Sequence, residues 1–389
     1  MSDLNLFLIA GEMSGDRLGS ALMDGLHQET NGMVHFSGVG GPMMASSGMD
    51  SLFEMSDLSV MGLFEILPKI PMLLSRVNQT VNSILLKKPD ALVTIDSPDF
   101  CLRVIKKVRE KMPDIKIIHY VAPSVWAWRP ERAEKMAQHV DHVLALLPFE
   151  PPYMEAAGMT CDFVGHPVIS EPKPSNLDKQ ILRDELQLGN GPIITILPGS
   201  RVGEIKRMGP IFDSVLKQIK NVHPDVEFIL PVAASVEQLV KDDTACWKVK
   251  PNLLLNKGFT SDQVESRKRT AYALSDVALA TSGTVALELA SQNCPMVIAY
   301  RANWATTRLV KKMAKIDTAN LINIVTGTRV VPEHLFENCT AEKITPSILK
   351  ILEGDTTQNK ALSQTMKKLG QGQKDANLWA AQSVLRSIA

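Results

Sequence analysis

The strongest constraint on the fold of this sequence is its regular alternation of short apolar runs with amphipathic segments. Several runs consist almost wholly of Val, Ile and Leu, as do strands that are buried on both faces. The predicted strands are Leu4–Ala10, Ala91–Ile95, Ile115–Val121, His142–Leu147, Ile193–Leu197, Glu227–Pro231, Val277–Thr281 and Met296–Ala299. Because helical spacing fills the intervals between them, the sequence predicts parallel sheets and an α/β fold.

The chain length and one polar stretch predict two domains. At 389 residues the chain is long enough for two cores, and the Pro-rich stretch Ser170–Ser175 is a candidate linker. We predict a Rossmann-like domain over residues 1–169, a second over residues 170–365, and a helical tail over residues 366–389 that packs back on the first. We expect the two domains to face a central cleft, with ligands at the carboxyl ends of the strands.

Composition and charge exclude several classes of protein. The 42 Lys and Arg residues balance the 42 Asp and Glu residues, which argues against a chain that coats nucleic acid. The sequence starts without a signal-peptide pattern, and no run of 18 apolar residues predicts a membrane span. The scattered cysteines form no C-x-x-C pair, which suits a reducing cytosol and predicts neither a zinc site nor a disulfide; they are Cys101, Cys161, Cys246, Cys294 and Cys339. We therefore expect a cytoplasmic protein.

A strand, a turn of small residues and a helix follow one another near the start of the chain, in FLIAGEMSGDRLGSAL. This layout binds phosphates in many α/β proteins. The turn matches neither G-x-G-x-x-G nor a Walker loop, however, and it carries two acids, Glu12 and Asp16. The residues alone therefore leave its ligand open.

The stretch ILPGSRVGEI indicates an anion site in the second half of the chain. Gly199 follows a proline at a strand end, so the chain must turn there. Ser200 and the backbone N–H groups of the turn can face an anion, and Arg201 supplies a forked cation. The alternative is an ordinary strand–loop–helix turn with a solvated arginine.

The stretch ATSGTVALELA indicates a second binding element in the same half. Ser282, Gly283 and Thr284 form a turn between a strand and a helix, where free N–H groups and hydroxyls suit a phosphate. Glu288 lies one helical turn after Thr284, where its carboxylate can accept ribose hydroxyls. The alternative is a plain helix cap with a solvated glutamate. Together with the arginine turn, this element predicts a nucleoside diphosphate in the second domain.

Two motifs in the first half allow more than one interpretation. Asp96 ends a buried strand in VTIDSPDF, where a carboxylate is either a general base or the cap of a turn. Trp126, Trp128 and Arg129 follow another strand in HYVAPSVWAWRPERAEK. Tryptophans so placed either pack in the core or stack on a sugar ring.

One segment points to lipid. Leu58–Val77 is rich in apolar residues, among them Met61 and Phe64, but charges and prolines interrupt it. It can present an apolar face to acyl chains or a membrane surface, or it can be a buried core helix. The cationic run Arg308–Ile316 can lie on anionic lipid, or it can be a solvated helix face.

The order of the motifs resembles the lipid-A-disaccharide synthase family. The matching blocks are AGEMSGDRLG, GVGGPMM, VMGLFEIL, IDSPDF, HYVAPSVWAWR, LALLPFE, FVGHP, LPGSR, SGTVALE, PMVIAYR and NLINIVTG. The resemblance implies a GT-B-like architecture and an inverting glycosyltransferase. The implied substrates are UDP-2,3-diacylglucosamine and 2,3-diacylglucosamine 1-phosphate, which give a β(1→6) disaccharide 1-phosphate and UDP in lipid A biosynthesis.

The resemblance also implies roles for individual residues. Asp96 matches the family's essential aspartate and is our predicted base. Arg201 matches its essential arginine, expected on the leaving phosphates, and Asn323 matches a polar position that the family places near UDP. In GT-B enzymes the first domain takes the acceptor, so we predict that Glu12, Ser14, Asp16, Met61 and Phe64 lie on the acceptor side. No D-x-D pair stands at a strand end, and we predict no metal and no cofactor.

The resemblance further implies partners. They are the inner-membrane surface, reached from its cytoplasmic face, and a second copy of the chain in a homodimer with exchanged C-terminal portions; nucleic acid is not expected. Two other classes of function stay open from the residues: a UDP-sugar epimerase of the same fold, and a non-catalytic protein that binds lipid or nucleotide. An epimerase would not need the apolar segment Leu58–Val77, and it would act on the UDP-sugar alone.

Overall fold

The computed structural model describes residues 3–58, 63–302, 307, 308, 317–373 and 375–389, and of residues 63–68 it describes the backbone alone. Met61, the side chain of Phe64 and most of the cationic run therefore lie outside the described residues. The chain divides into two compact units. Unit 1 comprises Met1–Ser170 with Leu369–Ala389, and unit 2 comprises Glu171–Lys368.

Unit 1 is built on a parallel sheet that has six strands in the described part of the chain, in the order β2-β1-β3-β4-β5-β6. The strands are β1 (Leu4–Ala10), β2 (Val34–Val39), β3 (Ala91–Ile95), β4 (Lys116–Tyr120), β5 (His142–Ala145) and β6 (Thr160–Phe163). The helices between them are α1 (Met13–Glu29), α2 (Pro42–Ser46), α3 (Leu63–Lys87), α4 (Pro98–Lys111), α5 (Glu131–Ala137) and α6 (Pro151–Ala156). Alternate residues of β1 enter different cores: Phe7 joins one core and Leu8 the other.

Unit 2 repeats this plan with the strand order β12-β11-β10-β7-β8-β9, again parallel and again six strands among the described residues. The strands are β7 (Ile193–Leu197), β8 (Glu227–Pro231), β9 (Asn252–Leu254), β10 (Val277–Ala280), β11 (Met296–Tyr300) and β12 (Glu333–Leu335). Its helices are α7 (Asn176–Glu185), α8 (Val202–Val222), α9 (Glu237–Ala245), α10 (Ser261–Leu274), α11 (Val285–Ser291), α12 (Leu321–Thr326), α13 (Ala341–Leu352) and α14 (Asn359–Lys368). The predicted α/β class with two parallel sheets is confirmed.

The last helix of the chain, α15 (Ala376–Ile388), belongs to unit 1 and packs on α1. Gly25 of α1 allows this approach, because a Cβ at that position would lie 2.6 Å from the carbonyl oxygen of Asn377. The Ser383 hydroxyl lies 2.9 Å from His142 Nε2 and donates to Asp162 at 2.6 Å. These contacts fix the end of the chain to the strands β5 and β6.

Candidate functional site

In unit 1 the turn after β1 lies directly against the turn that carries Asp96. The strands β1 and β3 are neighbours, and Ala10 is paired with Ile95, so both turns leave the same edge of the sheet. A Cβ at Gly11 would lie 2.6 Å from the Ser97 hydroxyl oxygen and 3.0 Å from the Ser97 Cβ, so any larger residue would force the Ser97 side chain to shift. The glycine in GEMSGD is therefore explained by this contact between two turns.

Asp96 itself stands in a strained, half-buried turn. Asp96 and Ser97 have φ angles of 50° and 44°, both in the left-handed region, which costs about 1–2 kcal/mol for each residue. The Asp96 N–H donates to the carbonyl of Tyr120 at 2.9 Å and so fixes the turn to β4. Burial raises the pKa of the Asp96 carboxyl, while a hydrogen bond from the backbone of Ser97 offsets part of this rise. The result is a carboxylate at a strand tip with more basic character than an ordinary aspartate.

Asp16 has an internal partner rather than an external one. Its side chain is buried, and its two oxygens accept the backbone N–H groups of Gly41, Met43 and Met44 at 2.8–3.0 Å. It thereby holds the loop after β2 and the first turn of α2. We therefore assign Asp16 to the support of this loop, and the acceptor-side place expected of it stays a prediction. Ser14 is exposed, and its place on the acceptor side also stays a prediction.

Replacing Asp16 with Ala is expected to lower the free energy of unfolding by about 2–4 kcal/mol, because three backbone donors lose their acceptor. The measurement is urea unfolding followed by circular dichroism. The Asp16→Asn variant is the matched control, since its amide oxygen keeps one acceptor, and we expect it to lose less. An Asp16→Ala variant with an unchanged unfolding midpoint would contradict the assignment.

The structure separates the two tryptophans of the loop after β4. Trp126 is half-buried: its indole N–H donates to Glu150 at 3.3 Å, and its ring meets Phe149 edge to face with 5.1 Å between centroids. Trp128 is 39% exposed and carries the guanidinium of Arg129 on its ring. Core packing therefore accounts for Trp126 and leaves Trp128 for another role.

Glu150 is a buried acid that the sequence did not single out. It is 4% exposed, and besides the indole of Trp126 it accepts the N–H of Leu147 at 3.0 Å. Burial raises the pKa of Glu150 to about 7, against the lowering effect of these hydrogen bonds. Its position in LALLPFE, soon after a strand, was the one available signal.

In unit 2 the two predicted binding turns leave the same edge of the sheet. The strands β7 and β10 are neighbours, with Leu197 opposite Ala280, and Thr281 N–H donates to the Leu197 carbonyl at 3.0 Å. The turns Gly199–Arg201 and Ser282–Thr284 begin within a few residues of this pairing. The structure therefore brings together the two stretches that the sequence proposed for one ligand.

In the turn Gly199–Arg201, the carboxylate of Glu204 contacts the groups that we predict to bind an anion. Gly199 has a φ of 114°, and a Cβ there would lie 2.3 Å from an oxygen of Glu204. That carboxylate accepts the N–H of Ser200 at 3.1 Å and lies 3.5 Å from Arg201. The Arg201 side chain is 68% exposed, so it can reach an external ligand. A bound phosphate would compete with Glu204 for both groups.

The second turn, Ser282–Thr284, is held by a hydrogen bond to the backbone of Ala319, and a glutamate of the helix that follows it is paired with a lysine. The Ser282 hydroxyl donates to the carbonyl of Ala319 at 3.0 Å, whereas Gly283 and Thr284 are exposed. Glu288 lies 3.2 Å from the ammonium group of Lys268, which also contacts Glu265 at 2.6 Å. Burial lowers the pKa of Lys268, but the two carboxylates outweigh burial and raise it. Glu288 is therefore held by a cation.

Asn323 lies inside unit 2. Its side chain is fully buried, and its amide donates to the Val331 carbonyl at 3.0 Å and to Glu333 at 3.1 Å. Glu333 also accepts the N–H of Ala319, whose carbonyl receives the Ser282 hydroxyl. We therefore assign Asn323 to the support of the Ser282 turn, and its place near UDP stays a prediction.

Within the described ranges, no group of three or more His, Cys, Asp or Glu side chains could hold a metal ion. The prediction that no metal takes part stays a prediction. A search of the same residues for a helix long and apolar enough to cross a bilayer found none.

Two solved structures share this fold. The chain is similar to a UDP-GlcNAc 2-epimerase from Neisseria meningitidis bound to UDP-GlcNAc, with a TM-score of 0.61 and 11% identity over 98% of each chain. It is also similar to a glycosyltransferase from Rickettsia africae, with a TM-score of 0.60 and 12% identity over 99% of this chain and 97% of that one. At such identities the likeness concerns the fold alone, which is that of GT-B glycosyltransferases and UDP-sugar epimerases.

The sequence relatives decide between these classes. A family model described as lipid-A-disaccharide synthetase matches residues 6–386. A lipid-A-disaccharide synthase from Ruegeria pomeroyi is 50% identical over 98% of this chain and 95% of its own length, and one from Rhodospirillum centenum is 41% identical over 100% and 96%. The chain belongs to the lipid-A-disaccharide synthetase family. The predicted family is confirmed, the protein is a glycosyltransferase, and neither an epimerase nor a non-catalytic binding protein is favoured.

Proposed function

We propose that the protein transfers 2,3-diacylglucosamine from UDP-2,3-diacylglucosamine to the 6-hydroxyl of 2,3-diacylglucosamine 1-phosphate. One observation carries the proposal: the family model spans residues 6–386, and four of the family's motifs follow the carboxyl ends of neighbouring strands, β1 and β3 in unit 1 and β7 and β10 in unit 2. The acceptor oxygen attacks C1 of the donor sugar, the bond from C1 to the diphosphate breaks, and UDP leaves with the bonding electrons. A single displacement converts the α-linked donor into the β-linked product.

Asp96 accepts the proton of the attacking hydroxyl. Its strand-tip position and its burial support this role, because burial raises the pKa of the carboxyl toward the range of an effective base. Gly11 in the neighbouring turn carries no side chain, and the exposed Ser14 follows in the first turn of α1. Together with Glu12, these residues form our proposed acceptor side in unit 1.

Unit 2 binds the UDP moiety. Arg201 and the N–H of Ser200 take the phosphates, with Gly283 and Thr284 of the adjacent turn beside them. Glu288 accepts the ribose hydroxyls, and the ammonium group of Lys268, 3.2 Å away, orients its carboxylate. The diphosphate displaces Glu204 from Arg201, because this ion pair is a single 3.5 Å contact to an arginine that is 68% exposed and stands just before α8. The UDP-GlcNAc bound to the Neisseria structure supports this assignment of a UDP-sugar to the fold.

Mass spectrometry of the products tests the proposed reaction. The protein is incubated with both acylated substrates, with the UDP-sugar alone, and with the acceptor alone. We expect the disaccharide 1-phosphate and UDP in the first mixture only. An isomerised sugar from the UDP-sugar alone would instead indicate an epimerase, and unchanged substrates in all three mixtures would contradict catalysis.

We further propose that the protein meets its acylated substrates at the cytoplasmic face of the inner membrane, through the first half of α3. Ile70 and Leu74 are 40% and 42% exposed there, whereas Val77 and Val81, further along the same helix, are buried in the core. An apolar helix face left in solvent suits the boundary between headgroups and acyl chains. The homodimer with exchanged C-terminal portions stays a prediction.

The Ile70→Ser, Leu74→Ser double variant is expected to bind anionic liposomes several-fold more weakly and to lose activity on long-chain substrates. Sedimentation with liposomes at low and high salt measures the binding. Leu86→Ser is the matched control, because Leu86 lies at the other end of α3 and is 83% exposed. Equal sedimentation of all three proteins would contradict a membrane role for this face.

A further inference from the structure

Trp128 and Arg129 form an exposed pair that the proposed mechanism leaves unused. The guanidinium carbon of Arg129 lies 4.5 Å from the centroid of the Trp128 ring. No carboxylate of the described residues forms an ion pair with Arg129. Stacking occupies one face of the guanidinium and leaves the N–H groups at its rim free to donate, and these form the fork that fits a phosphate.

The loop that carries the pair has a strained backbone at two positions, its first residue and Arg129 itself. Val121, at the start of the loop, has a φ of 84°, which is a genuine outlier for a β-branched residue, and Arg129 has a φ of 51°. Such conformations persist only where surrounding contacts impose them, and they concentrate at ligand sites. The Val121 N–H donates to the Leu144 carbonyl at 3.0 Å and provides one such contact.

The buried Glu150 provides the other contact. A carboxylate this deeply buried is unfavourable unless its hydrogen bonds compensate, and those it makes here hold the Trp126 indole and the backbone of Leu147. Phe149 packs edge to face on Trp126 and completes the anchor. The anchor fixes the loop two residues before Trp128, so the exposed pair is presented in a defined position.

The pair lies in the part of the fold that also carries the proposed base. The strands β3 and β4 are adjacent and parallel, with Ile95 opposite Tyr120, so the loop after β4 leaves the same edge of the sheet as Asp96. We propose that Trp128 and Arg129 form a subsite for a phosphate monoester, which is the 1-phosphate of the acceptor. This inference rests on the proposed function, because it takes the acceptor to bind in unit 1.

The test compares two acceptors, 2,3-diacylglucosamine 1-phosphate and the same lipid without its phosphate. Arg129→Ala is expected to raise KM for the phosphorylated acceptor about 10- to 100-fold, the value of a charge-assisted fork, and to leave the unphosphorylated acceptor and UDP affinity nearly unchanged. Arg129→Lys should recover part of the loss, since lysine keeps the charge but not the fork. Arg132→Ala, three residues further on, is the control and should behave as the native protein.

Equal effects of Arg129→Ala on both acceptors, or no effect, would overturn the subsite. An anionic headgroup offers similar chemistry, so binding to phosphatidylglycerol vesicles is measured in parallel. Loss of vesicle binding with the acceptor preference unchanged would assign the pair to the headgroup and overturn the proposal. If the protein forms no disaccharide, the proposed function fails, but titration with water-soluble glucosamine 1-phosphate still decides the subsite: the native protein should bind it more tightly than Arg129→Ala.

Discussion

Replacing Asp96 with Asn is expected to lower kcat by about 10²–10⁴-fold while UDP affinity stays unchanged. The amide cannot accept the proton of the acceptor hydroxyl, but it has nearly the size of the carboxyl and can still accept the hydrogen bond from the backbone of Ser97. Asn also tolerates the left-handed conformation at this position, so the turn should keep its shape. Steady-state turnover and calorimetric titration with UDP measure the two quantities.

The pH dependence of the native protein gives an independent test of the same role. The base must be ionised to act, so kcat/KM falls when Asp96 is protonated as the pH is lowered. Because burial raises the pKa of Asp96, this fall should begin at a higher pH than it would for an ordinary aspartate. Asp99→Asn is the matched control, because Asp99 lies three residues further on in the first turn of α4 and is exposed. Near-native turnover of Asp96→Asn would exclude Asp96 as the base.

The sequence predicts the central strands of both sheets but misses the strands at their edges. The strands β1, β3, β4, β5, β7, β8, β10 and β11 were predicted because strands that are buried on both faces need continuous apolar runs. The missed strands are β2, β6, β9 and β12, and two of them, β9 and β12, have only three residues each. All four missed strands lie at the edges of their sheets, and they carry polar residues such as His35, Glu333 and His334, so they lack the continuous apolar signal.

The positions of the site residues were more predictable than their partners. Parallel sheets place all carboxyl strand ends at one edge, so Asp96, Arg201 and Ser282 could be predicted from the strands that precede them. Residue type gives hydrogen-bonding capacity and says nothing of the partner. For this reason the sequence places Asp16 and Asn323 near ligands but does not show their internal partners, which are backbone N–H groups for Asp16 and the Val331 carbonyl and Glu333 for Asn323.

The charged neighbours of the site were missed for the same reason. Lys268 and Glu288 come from different helices, and no local pattern joins them. The contact of Glu204 could have been predicted from its position. It is the third residue of α8, where a glutamate side chain often accepts a backbone N–H group just before the helix. Its contact with Ser200 follows that pattern, one residue further back than in a capping box.

Arg201→Ala is expected to weaken UDP binding and to lower kcat by about 10²–10³-fold, because the guanidinium interacts most strongly with the diphosphate as its negative charge grows in the transition state. In the free protein Arg201 contacts Glu204. Whether it keeps this contact when UDP binds depends on the free energy of the ion pair compared with that of the hydrogen bonds to phosphate. The contact between Arg201 and Glu204 is 3.5 Å long and its arginine is 68% exposed, so this ion pair contributes about 1 kcal/mol at most, whereas hydrogen bonds to a charged phosphate contribute about 1.5–3 kcal/mol each. The ligand should therefore displace the glutamate.

Because Glu204 and the diphosphate compete for Arg201, the Glu204→Gln variant gives a second test, with an effect on UDP affinity opposite to that of Arg201→Ala. Removing the negative charge of Glu204 frees Arg201 and the N–H of Ser200, so UDP affinity should rise slightly, by about two- to three-fold. Titration with UDP and with UMP separates the outer phosphate from the rest of the ligand, and Arg201→Ala should lose more affinity for UDP than for UMP. Equal losses for both nucleotides would place Arg201 away from the outer phosphate. Unchanged affinity and rate in Arg201→Ala would place it outside the site.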